Sequence, residues 1–89
     1  MNMSDHLPAI TGFQLIRLLQ RDGWLLKHRG RHGQVLSKFL QNEARHRVTI
    51  VPRTRASLPT GTLAGILSDK QTGLGRDGLG QLIKKHGLR

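Results

Sequence analysis

The sequence predicts one small α+β domain, an α-β-β-β-α two-layer sandwich whose three-stranded antiparallel sheet carries its helices on one face. Three observations predict it. The 89 residues leave room for one thin core and too little for two. A capped segment with helical periodicity opens the chain, and two glycine-interrupted helical patterns close it. Between them lie three short strand-like runs joined by tight reversals, a connection that only antiparallel neighbours permit.

Residues 1–10 read as a loose lead-in, with Pro8 ending any regular structure. Thr11-Gly12-Phe13-Gln14 then offers a capping box, because Thr and Gln three apart can each satisfy an orphan backbone N–H at a helix start. Leu15, Leu18, Leu19 and Asp22 fall at i, i+3, i+4, i+7, and Ile16 widens the stripe. Arg17, Gln20 and Arg21 take the outer face, and Gly23 supplies a left-handed stop, so the helix covers 12–22. Residues 24–29 read as a first strand, Gly30-Arg31-His32-Gly33 as a turn, and 34–40 as a second strand. Gln41-Asn42-Glu43-Ala44 makes the next reversal. Arg47-Val48-Thr49-Ile50-Val51 is a β-branched third strand closed by Pro52.

A basic loop, 53–57, leads into Leu58-Pro59-Thr60-Gly61-Thr62 and a second helix with Leu63, Ile66 and Leu67 on one face. Gly65 inside it costs roughly 1 kcal/mol relative to Ala, and Gly73 is expected to end the element. Leu79, Leu82 and Ile83 mark a short third helix that Gly78 and Gly80 weaken, so packing must supply what propensity does not. The single domain therefore runs from 11 to 89. Its helices all cover one sheet face, which leaves the other face and the loops as the interaction surface by elimination.

Composition narrows the function. Fifteen Lys and Arg against five Asp and Glu give a formal charge of +10. So strong an excess attracts a polyanion, with nucleic acid ahead of an acidic membrane face or an acidic protein. With no cysteine there is no disulfide, no thiolate zinc site and no cysteine nucleophile. No run of about 18 apolar residues offers a membrane span, and Met-Asn-Met-Ser-Asp-His lacks the shape of a secretion signal. A cytoplasmic setting is the expectation.

Five stretches, in order, resemble the HicA toxin family. Residues 11–24 look like its opening helix running into a Gly-aromatic step, and Arg29-Gly30-Arg31-His32 is similar to its Gly-x-His turn. Val48-Thr49-Ile50-Val51-Pro52 resembles its third strand. Leu58-Pro59-Thr60-Gly61-Thr62-Leu63-Ala64-Gly65-Ile66-Leu67 resembles its second helix, and Gly73-Leu74 the step that follows. The resemblance covers about 11–83. It implies a double-stranded-RNA-binding-like fold used as a messenger-RNA endoribonuclease, the toxin of a type II toxin–antitoxin pair. The catalytic residue carried over by position is His32. No cofactor is implied, and the partners are RNA and a HicB-type antitoxin. The sequence departs from the family at Arg31 and Gly33 around the histidine, in a longer stretch from His32 to Pro52, and at Arg53 and Thr54.

The residue types suit the chemistry. Cleaving RNA without a metal requires removing the 2′-hydroxyl proton, protonating the 5′-oxygen and offsetting charge on a pentacoordinate phosphate. Imidazole serves as acid or base near neutrality, and flanking glycines let a phosphate approach the turn. Lys27, Arg29, Arg31 and Lys38 flank the turn as phosphate contacts, and Arg53 and Arg55 extend the track. His28 and His46 read as polar strand residues, with a second acid/base role as the lesser reading. His6 and His86 carry no role, and Trp24 reads as core. A zinc site from His28, His32 and His46 lacks supporting ligands.

The rival reading is a non-catalytic RNA-binding module of the same fold. Such modules grip phosphates with lysines at the N-terminus of the last main helix, where this chain has Leu58-Pro59-Thr60-Gly61-Thr62. A DNA-binding role ranks last, because no helix shows a polar base-reading face.

Overall fold

Helix α1 spans Gly12–Arg21, and its ends are set locally. The Thr11 hydroxyl accepts from the Gln14 N–H at 3.0 Å while the Gln14 side chain accepts from the Thr11 N–H at 2.9 Å. This reciprocal pair satisfies two donors that no helical carbonyl can reach. At the other end Gly23, with φ of 95°, lets its N–H reach Gln20 and the Trp24 N–H reach Leu19. That is the Schellman closure expected of a glycine just past a helix.

The structure, a computed structural model, describes residues 7–88. Three strands follow α1: β1 (Leu25–Gly30), β2 (Gly33–Leu40) and β3 (Arg45–Val51). They form one antiparallel sheet in the order β1-β2-β3. Two helices follow, α2 (Thr60–Leu67) and α3 (Gly75–His86). The arrangement is the α-β-β-β-α sandwich that the sequence predicts, with a further helix after it.

Register decides which side chains meet the helices. Leu36 pairs with Thr49 across β2 and β3, and Gln34 with Val51. Leu36, Thr49 and Val51 are almost fully buried against Leu15, Leu19, Leu63, Ile66 and Leu79. The alternate positions Val35, Phe39, Val48 and Ile50 therefore face the other side. Between Leu26 and Arg29 the β1 register slips, so Lys27 and His28 together oppose Val35. This bulge turns both side chains out of the regular alternation.

Several expected boundaries move, each for a packing reason. Residues 1–6 of the expected lead-in lie outside the described residues. Residues 7–10 are not loose: Ile10 is 1% exposed, its carbonyl accepts from the Leu58 N–H at 2.8 Å, and Leu7 packs on the core. Trp24 is a core residue and β1 starts after it. Helix α2 ends at Leu67 rather than near Gly73, because Ser68 turns extended and Gly73 closes a separate turn onto the Ser68 carbonyl. Helix α3 runs 12 residues despite two internal glycines. Leu79 and Leu82 are buried, and burial outweighs the propensity cost.

Candidate nucleic-acid interface

The β1–β2 connection is a two-residue loop, Arg31-His32, held between the paired glycines Gly30 and Gly33. A loop this short leaves both side chains at a hairpin tip with no room to fold inward. His32 is exposed there, as are Arg29 and Arg31. Gly33 has φ of 144°, and a Cβ on it would collide with the Val51 carbonyl. Only glycine brings the hairpin tip this close to the end of β3.

That close approach assembles the site. Arg29, Gly30, Arg31, His32, Gly33, Pro52 and Arg53 line a shallow cleft of about 270 Å³. One histidine and three arginines thus line a single depression. Arg53 arrives from the loop after β3, where its guanidinium sits 5.2 Å from the centre of the Phe13 ring. Stacking on an aromatic face holds the cation while leaving its N–H fork for a phosphate. The Phe13 N–H donates to the Thr54 carbonyl at 3.2 Å, which ties the start of α1 to the same loop. Arg55 lies around that corner with Thr11, Phe13, Gln14 and Arg17 in a second cleft of about 360 Å³. Arg53 lines the first cleft and stacks on Phe13, and Phe13 and Arg55 line the second.

The other sequence-selected cations are elsewhere. Lys38 lies five residues along β2 from the turn, about 16 Å at strand rise. Its ammonium is 3.2 Å from the Asp22 carboxylate at the end of α1. It ties the sheet to the helix layer rather than flanking the turn. Lys27 is exposed on the sheet, where it borders a depression with His28, Val35, Ser37, His46 and Val48. His28 and His46 thus share a cleft with each other and not with His32. Among the described residues no three His, Asp or Glu side chains gather as metal ligands.

Sequence reasoning missed the clamp behind the sheet. Both Glu43 oxygens accept from Arg47, at 3.1 and 2.9 Å, while Arg47 also donates to the Asp69 and Gln71 carbonyls at 2.5 and 3.1 Å. The bidentate hydrogen bonds from Arg47 hold the Glu43 carboxyl below its ordinary range, and the same bonds raise Arg47. The spacing of Glu43 and Arg47 was visible, but the carbonyl partners 22 and 24 residues away were not.

Comparison with known proteins gives no match: no family model, curated protein or solved structure matches the chain significantly. No helix among the described residues is long and apolar enough to cross a membrane.

Proposed function

We propose that the chain is a metal-independent RNA endoribonuclease of the HicA type, a cytoplasmic toxin neutralised by a HicB-type antitoxin, with His32 as its catalytic group. The observation that carries this reading is the cleft in which His32 meets Arg29, Arg31 and Arg53. An exposed histidine in a cleft lined by three arginines suits a phosphodiester whose charge grows in the transition state. The absence of lysine at the start of α2, Thr60–Leu67, speaks against a duplex clamp of the rival module.

In the proposed reaction His32 takes the proton of a ribose 2′-hydroxyl as that oxygen bonds to phosphorus. The guanidinium groups of Arg29, Arg31 and Arg53 offset the added negative charge. The bond from phosphorus to the 5′-oxygen then breaks, and the imidazolium returns its proton to that oxygen. The products are a 2′,3′-cyclic phosphate and a 5′-hydroxyl end, with the imidazole regenerated. A single histidine must serve both proton transfers, so a slow enzyme is expected.

The test is incubation of the purified chain with a long unstructured RNA in EDTA, alongside His32→Ala. Cleavage leaving 5′-hydroxyl ends, lowered about 10²–10⁴-fold in the variant, supports the enzyme. Equal RNA binding with no cleavage by either protein identifies the binding module instead.

A further inference from the structure

We propose that the open face of the sheet is a docking surface for an acidic protein. Four side chains on it are large, apolar and uncovered: Leu25 is 62% exposed, Phe39 51%, Val48 50% and Ile50 42%. They alternate with core residues such as Leu36 and Thr49, so the sheet is apolar on both faces. An antiparallel sheet bounded by water on one side ordinarily turns polar residues outward. A contiguous apolar face of this kind marks a contact with a partner.

The chemistry of the rim selects among partners. Lys27, His28 and His46 border the central depression of about 440 Å³, floored by Val35, Ser37 and Val48. No carboxylate lines it among the described residues; Asp22 and Glu43 are held by Lys38 and Arg47. A second copy of the chain would bring another Lys27 and another +10 against this rim, so self-association is disfavoured. Stacked RNA bases need flat aromatic platforms. Here Phe39 and His46 meet edge to face at 5.1 Å and 65° instead of lying flat side by side, and the other large exposed apolar side chains, Leu25, Val48 and Ile50, are aliphatic. An apolar centre with Lys27 at its rim, on a chain of charge +10, instead complements an apolar protein segment flanked by Asp and Glu. The surface stands apart from the His32 cleft, so the inference goes beyond the ribonuclease reading and survives its failure.

The experiment is amide NMR of the full chain titrated separately with three probes. These are a twelve-residue peptide alternating valine with glutamate, its counterpart with lysine for glutamate, and oligouridylate. Sedimentation of the chain alone is run in parallel. The acidic peptide is expected to shift the amides of Leu25, Val35, Phe39 and Val48, and the basic peptide is not. Val48→Asp and Lys27→Glu should each weaken the acidic peptide at least tenfold without lowering the melting temperature. Val48→Thr keeps the β-branched shape should the aspartate unfold the strand, and weakens binding less. The proposal is overturned by no shift on this face, by equal shifts from both peptides, by oligouridylate occupying the face, or by a concentration-dependent dimer that broadens these amides. No arm reads RNA cleavage, so an inactive His32 leaves these outcomes unchanged.

Discussion

Gly33 decides the geometry of the candidate site at the scale of one residue. Its φ of 144° and its contact with the Val51 carbonyl exclude a side chain for two independent reasons. Gly33→Ala is expected to lower stability by about 2 kcal/mol and to displace the His32 tip from Arg53. Chemical denaturation and the loss of any RNA cleavage are the readouts. Glu43 belongs to the same scale. Its folded-state affinity for a proton is lower than that of an ordinary carboxyl because Arg47 holds the ionised form. The clamp therefore contributes fully above about pH 4.5, the ordinary value, and its contribution is lost as pH falls through the lowered value. Melting curves of the parent and Glu43→Gln should differ at pH 7 and converge in acid. A constant difference down to about pH 2, below the ordinary carboxylate range, would refute the clamp.

Among the elements, α1 is written into its own sequence and α3 is not. Thr11, Gln14 and Gly23 carry their roles within a few residues, so the capping box and the Schellman closure were readable before any fold was known. Thr11→Ala should cost about 1 kcal/mol, measured by urea unfolding, with α1 fraying from its N-terminus. Helix α3 has Gly78 and Gly80 inside it and is held by buried Leu79 and Leu82, information that resides in α1 and α2. The sheet makes the same point by contrast. Leu36→Ala should cost about 2–5 kcal/mol because Leu36 is fully enclosed. Ile50→Thr, on the open face, should stay within about 0.5 kcal/mol. Equal losses at the two positions would mean that the outer face is covered in the folded protein.

For the whole molecule the decisive quantity is where the positive charge sits. Arg29, Arg31 and Arg53 converge on one cleft, while Lys38 is engaged by Asp22. If those three arginines each neutralise a phosphate, single-stranded RNA affinity falls with salt at roughly 0.7 log units per log unit for each contact. Replacing any one by Ala should reduce the slope by about that amount. Lys38→Ala should leave the slope unchanged and lower stability by about 0.2–1 kcal/mol. A filter-binding series across salt concentrations reads the first effect and thermal melting the second. A slope change at Lys38 equal to that at Arg31 would dissolve the assignment of the cleft.

The sequence by itself determined the order of elements, the first helix with both its ends, the hairpin turn that carries His32, and the excess of cations. Each of these is fixed by residues within a few positions of one another, through capping, periodicity, glycine at a turn and simple charge. Tertiary structure alone decided which cations share a cleft with His32, that Lys38 serves the fold, that Ile10 belongs to the core, and that the sheet keeps an uncovered apolar face. Those outcomes depend on strand register and on contacts between residues far apart in the chain. A one-residue change of register exchanges the two faces of a strand, and no local pattern in a strand that is apolar on both sides reveals which face the helices will choose.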